Sequence, residues 1–152
     1  MIAELNDAAT DGQTPQRLEG AVAQAFEYLG FAVDQIGGSG DTDVRAHAPI
    51  GPASYTVVVD AKARRGGKVQ DLQAYALQEH LRKNEADYAV VVAGNFAEGR
   101  VVRQAEDGGI VLLPVAVLGA WLRLHESTPL NLSQHRAMFA TPGLRSGLLP
   151  RS

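Results

Sequence analysis

The chain contains no cysteine, which excludes a disulfide framework, thiolate catalysis and any cysteine-based zinc site. Long apolar runs are also missing. The stretch 110–118 is among the longest, far short of the roughly 18–20 residues that a membrane span needs. The N-terminus has no basic start followed by an apolar stretch, so no signal peptide is expected. The four histidines, His47, His80, His125 and His135, are scattered without zinc spacing, and each is expected to be a surface or helix residue. Net positive charge is lacking as well: 14 Lys and Arg stand against 17 Asp and Glu, a net of −3. A free-standing nucleic-acid binder is usually basic, so strong intrinsic affinity for nucleic acid is not expected.

What the chain does have is 152 residues, 45% of them hydrophobic and 20% charged. That suits one α/β-sized domain with a single core and rules out an intrinsically disordered chain. A soluble, cytoplasmic protein is the expectation. Charge is unevenly spread. Residues 1–59 hold 8 acids and 2 bases, residues 60–103 hold 6 acids and 8 bases, and residues 104–152 hold 3 acids and 4 bases.

The pattern of apolar residues predicts the element order. Residues 1–13 are polar and turn-rich and read as a flexible leader. Thr14-Pro15 has the form of an N-cap followed by proline in the first turn. Leu18, Val22, Ala25, Phe26 and Leu29 then recur at three- and four-residue intervals up to Gly30, the signature of an amphipathic helix. Strands are predicted over 31–36, 43–48 and 55–61, the last two forming an antiparallel hairpin. The third is nearly all apolar before its acid, as a strand covered on both faces must be. A helix is predicted over 68–83. A fourth strand over 88–93 is reached by that helical crossover and is therefore expected to run parallel to the third. A helix over 96–106, a short strand over 109–113, a helix over 114–124 carrying a core Trp121, and a short helix over 130–139 follow. The domain is thus expected to span 14–140, with 141–152 a loose tail.

Asp60-Ala61-Lys62 closes the most apolar strand. Residues two apart on a strand share a face, and a carboxylate with an ammonium beside a core is costly unless the two pair or bind something. The plain reading is a strand-end ion pair. The functional reading adds Asp43 from the neighbouring strand, which follows the glycine loop 37–40. Asp43 and Asp60 together would hold a hard divalent cation through oxygen, and Lys62 would position or deprotonate the attacking water or offset charge building on a phosphate. Asp41 lies two residues before Asp43 on the same strand face and competes for the same role. Arg64, Arg65 and Lys68 follow directly, with Arg100 and Arg103 in the next helix; they read either as a phosphate-tracking rim or as ordinary solvated bases.

Asp43, sixteen intervening residues and Asp60-Ala61-Lys62 resemble the PD-(D/E)xK nuclease signature, with the spacing of the cleavage domain of the type IIS restriction enzyme FokI. Leu18-Glu19, Gly30-Phe31, Ile36-Gly37-Gly38-Ser39, the 57–62 strand, Gly66-Gly67, 92–96 and 109–118 are similar to that domain in the same order, and 131–139 to its C-terminal end. The chain is more loosely similar to Mrr-type nucleases. Thr42 stands where the signature often has proline.

The resemblance implies a restriction-endonuclease-like α/β fold, an αβββαβ core with a mixed sheet flanked by helices. It implies a magnesium-dependent DNA endonuclease in which Mn2+ substitutes for Mg2+. Asp43, Asp60 and the carbonyl of Ala61 would be metal ligands, Lys62 the catalytic lysine, and Glu19 a supporting acid on the first helix, whose plain reading is a solvated helix carboxylate. Gln70 or Gln73 corresponds to a glutamine near the site in Mrr-type relatives. DNA is the implied partner. Sequence choice would come from a separate or fused recognition module or from homodimerisation, with the 68–83 helix and its flank as candidate contacts. A repair or junction nuclease, a nuclease toxin and an inactive interaction module are the rival readings.

Overall fold

The computed structural model describes residues 1–36, 44–66 and 68–147. The glycine loop 37–40, Asp41, Asp43 and the last residues of the expected tail lie outside the described residues.

The elements follow in the order α1 (Ile2–Ala9), α2 (Pro15–Tyr28), β1 (Ala32–Gln35), β2 (Val44–Ala48), β3 (Tyr55–Lys62), β4 (Lys68–Val69), α3 (Ala74–Lys83), β5 (Tyr88–Ala93), β6 (Asn95–Phe96), α4 (Arg100–Gly108), β7 (Ile110–Pro114), α5 (Val115–Ser127), α6 (Leu132–His135) and β8 (Gly143–Leu144). Six strands form one sheet in the order β1-β2-β3-β5-β7-β8. The β1–β2 and β2–β3 pairs are antiparallel; β3–β5, β5–β7 and β7–β8 are parallel. The αβββαβ order and mixed sheet are those expected. Among the described residues no helix is long and apolar enough to cross a membrane.

The central strands are apolar on both faces because helices cover both. Val57, Val59, Val90, Val92, Val111 and Leu113 pack into a cluster with Leu18, Val22 and Phe26 of α2, Leu5 of α1, and Leu118 and Trp121 of α5. Their alternates, Val58, Ala89, Val91 and Leu112, pack with Leu77 of α3 and with Val101 and Ala105 of α4. This period-two split assigns every residue of β3 to one layer or the other.

Four expectations are corrected. Residues 2–9, read as a flexible leader, form α1, whose Leu5, Ala8 and Ala9 are buried; burial of that face holds it where composition alone suggested fraying. The predicted 68–83 helix begins at Ala74, because Lys68–Val69 pair in parallel with Asn95–Phe96. The helix predicted from 96 begins at Arg100, after Gly99 at φ +83°. Part of the expected loose tail, Gly143–Leu144, is an edge strand on β7. His135 is a helix residue, as expected, and closes α6 fully buried: its Nδ1 accepts a hydrogen bond from Trp121 Nε1 at 2.9 Å, and its ring lies 5.1 Å from that of His125.

Candidate active site

On β3, Tyr55, Val57, Val59 and Ala61 face the α1/α2/α5 layer, so Asp60 and Lys62 continue the parity of Val58 toward the α3/α4 layer. The apolar residues of that layer stop at Val58 on this strand, leaving the carboxyl end of β3 to the two charged groups. They meet there: Lys62 Nζ lies 3.0 Å from Asp60 Oδ2, with side chains only 28% and 13% exposed. In an open α/β sheet the carboxyl ends of parallel strands are where ligands gather, and β3 runs parallel to β5 with Asp60 beside Val91 and Lys62 beside Ala93. Among the described residues Lys62 is the sole ion-pair partner of Asp60. The pair presents anionic oxygen beside a cation that is half-shielded from water, where charge on a bound anion is felt more strongly than in solvent.

The N-terminal elements close in on this end of the sheet. Arg64 N–H donates to the Ala9 carbonyl at 3.0 Å, and Gly12 lies against Arg65, where a Cβ would make van der Waals contact with Arg65 N at 3.4 Å. Arg17 fixes the α1–α2 corner. Its guanidinium reaches Glu4 through Nε at 3.1 Å and Nη2 at 2.7 Å, and Asp11 through Nη1 at 3.0 Å. Thr14 is the N-cap position of α2, but the capping oxygen comes from Asp11 Oδ1, which accepts from Gln13 and Thr14 N–H. α2 therefore starts beside the carboxyl end of β3. Glu19, in its second turn, is half-buried, and burial raises its carboxyl pKa above the ordinary range. It sits on the helix of the opposite layer, and among the described residues no ion pair joins it to Lys62.

On the α3/α4 side, the segment between β4 and α3 is pinned from across the site. Gln104 of α4 donates from Nε2 to Asp71 Oδ1 at 2.7 Å and accepts from Leu72 N–H at 3.0 Å. Arg100 Nη2 stands 3.6 Å from the same Asp71 oxygen. These contacts hold Asp71 below the usual carboxylate range, the Gln104 hydrogen bond contributing most. Gln70 and Gln73 lie in this connector, exposed, rather than early in the helix; Gln73 stands at the N-cap position of α3 without a side-chain capping bond. Arg64 and Arg65 are exposed between β3 and β4, and Lys68 is exposed at the start of β4. The Gln104 clamp escaped the reading of the sequence because its partners are more than thirty residues apart and neither belongs to a recognisable pattern.

The structure thus brings Asp60 and Lys62 into contact, sets the three bases on the segment that follows them, and starts the helix of Glu19 at the same end of the sheet. Asp43 and Asp41 lie outside the described residues. Asp43 is bonded to Val44, whose partner across the hairpin is Val59, the residue before Asp60. Among the described residues no three His, Asp or Glu side chains gather as a metal site.

Comparison with known proteins agrees with this architecture. The chain is similar to the structure of restriction endonuclease FokI, with a TM-score of 0.79 and 22% identity over 91% of this chain and 30% of that one. The structure of FokI bound to DNA gives a TM-score of 0.76 and 23% identity over 91% of this chain and 29% of that one. The chain therefore spans under a third of the length of either. No curated protein sequence matches. A family model described as a restriction endonuclease matches residues 10–122, a stretch running from the α1–α2 corner into α5 and including the Asp60–Lys62 pair. The chain belongs to this restriction endonuclease family.

Proposed function

We propose that the chain is a metal-dependent endonuclease domain that hydrolyses DNA phosphodiester bonds at the carboxyl end of β3. One observation carries this reading: within a restriction-endonuclease fold, Asp60 and Lys62 stand 3.0 Å apart and partly shielded from water, at the strand end where a phosphate would enter.

The donor set suits a hard cation. It is made of oxygens, a carboxylate and a backbone carbonyl, with no thiolate anywhere in the chain, which favours Mg2+ with Mn2+ able to take its place. Asp60, the Ala61 carbonyl and Asp43 are the proposed ligands, with Asp41 the alternative to Asp43. When bound, the ion supplies a water of lowered pKa and neutralises developing phosphate charge. Lys62 orients that water or steadies the charge on the phosphate oxygens. Its pairing with Asp60 fixes the ammonium in place before substrate arrives, so little reorganisation is left for the reaction. Glu19 supports the site from the start of α2, and Gln70 or Gln73 borders it from the connector. Arg64, Arg65 and Lys68 contact backbone phosphates, which positions DNA without choosing a sequence. Sequence choice then rests with a recognition module or with a second copy of the domain, and pairing of two copies would allow both strands to be cut.

The test is nicking of supercoiled plasmid in the presence of Mg2+. Asp60→Asn and Lys62→Ala are each expected to lower the rate by at least about 100-fold, the range seen when a positioned charge or proton-transfer group is removed. Manganese calorimetry gives a second reading, with heat of binding lost in Asp60→Asn and in Asp43→Asn. Nicking that is unchanged in both Asp60→Asn and Lys62→Ala overturns the mechanism. Metal binding that ignores both acids leaves the interaction-module reading in its place.

A further inference from the structure

Tyr75 stands 77% exposed in the first turn of α3. The other three tyrosines of the chain each make a ring contact, Tyr28 with His125 and Tyr55 with Tyr88; Tyr75 makes none among the described residues. The helix explains its direction. Ala74, Leu77 and Leu81 turn toward the core shared with α4, so Tyr75 lies on the outward stripe with Glu79 and Arg82. Those two neutralise each other at 2.8 Å, leaving the aromatic ring as the unpaired group of the stripe.

Its place is defined by topology. β4 follows β3 and pairs with β6, which follows β5. The helix that begins just after β4 therefore starts at the end of the sheet that carries Asp60 and Lys62. Gln104 ties the connector before it to α4 through Asp71 and Leu72, so the ring stands on a fixed base. The run 61–70 leading to this connector contains four bases and no acid, the strongest local positive charge on a chain of net −3. A basic track ending at an exposed aromatic is the arrangement by which single-stranded nucleic acid is held, phosphates on the bases and a nucleobase on the ring.

We propose that Tyr75 is a stacking platform for an unpaired base of a DNA strand whose backbone runs along Arg64, Arg65 and Lys68. The substrate class is then DNA with a single-stranded segment, such as a flap, next to the cut. In a closed duplex each base face is covered by its neighbours and offers the ring nothing to stack on. In an unpaired segment it is open, and stacking adds affinity that does not depend on net charge. This inference rests on the nuclease reading above.

The experiment measures binding by fluorescence anisotropy, with Ca2+ in place of Mg2+, to a blunt duplex and to the same duplex bearing a single-stranded flap, across a salt series. It is paired with Mg2+-dependent cleavage of both. Tyr75→Ala is expected to weaken flap binding about 5- to 100-fold, to leave blunt-duplex binding, the salt slope and the melting temperature unchanged, and to remove the preference for cutting the flap. Tyr75→Phe keeps the ring and is expected to behave as wild type. Arg64→Ala is expected to weaken both substrates and lower the salt slope. Equal losses on both substrates, or none, overturn the inference while wild-type cutting leaves the nuclease reading standing. A Tyr75→Ala protein that changes from dimer to monomer in sedimentation, with flap binding per protomer intact, assigns the ring to self-association instead. A wild-type protein that neither binds nor cuts any DNA overturns both.

Discussion

Glu19 and His135 are two ionisable side chains that the fold holds against their solution preferences, and they predict opposite outcomes. The Glu19 carboxyl is raised by burial alone, so its charge is a liability at neutral pH. The folded state holds the proton more tightly than the unfolded state, and stability falls as pH rises through the carboxylate range. Glu19→Gln is therefore expected to raise the melting temperature by about 1–2 °C at pH 7 and to lower nicking, the combination expected of a residue retained for activity rather than stability. Calorimetry at pH 7 and a plasmid assay check both halves. His135 is the reverse case. Trp121 can only donate, so Nδ1 must accept and the ring is held neutral. Among the described residues its Nε2 has no hydrogen-bond partner of good geometry, and the nearby Leu29 backbone favours the proton less than burial opposes it. Burial first, and then the neighbouring His125, push its pKa down to about 4. Between the ordinary value of 6.5 and 4 the unfolded chain binds the extra proton, so the stabilisation is full above pH 6.5 and is lost as pH falls toward 4. The loss is on the order of 3 kcal/mol, read from urea unfolding at stepped pH, and His135→Gln is expected to flatten that limb.

At the scale of elements, α1 makes the sharpest prediction, because eight residues expected to fray instead carry core. Leu5 is fully buried beneath α2 and α5, and Leu5→Ala is expected to cost about 2–5 kcal/mol, measured by chemical denaturation. A fraying leader would lose nothing. Its helical signal was present in the sequence as Ile2, Leu5, Ala8 and Ala9 at helical spacing, but eight residues are too few to be helical alone. Packing decided the matter. β8 shows the same limit more strongly. Gly143 has φ +105°, and a Cβ there would stand 2.9 Å from Glu106 Cγ. The glycine allows both the turn and the approach of α4, yet in sequence it sits in a stretch of glycine, proline and arginine that resembles any loop. β4 was hidden because two residues cannot show a period; Lys68–Val69 became a strand by finding Asn95–Phe96. Long periodic elements fared better. Those of α2, β3 and β5 were legible because their own burial demands repeat several times within each segment.

Taken whole, the molecule is an acidic chain with one run of four bases, Lys62, Arg64, Arg65 and Lys68, beside one end of its sheet. Affinity for DNA is then expected to be steeply dependent on salt, and to depend on a local field rather than on net charge. Each of Arg64→Ala, Arg65→Ala and Lys68→Ala is expected to reduce the slope of log K against log salt by about 0.9, measured by titration at stepped ionic strength. The same substitution at Arg123, on the far side of the chain's sequence in α5, is expected to change it little. By itself the sequence determined the αβββαβ order, the doubly covered third strand and the shared face of Asp60 and Lys62. Each follows from local periodicity, and a residue's face on a strand is settled by parity. Tertiary structure alone decided that α1 is core, that Gln104 pins the connector before α3, that His135 is buried against Trp121, and that Glu19 approaches from the opposite layer. Those outcomes depend on which surfaces meet across tens of residues of chain, and no period within a segment encodes its partner.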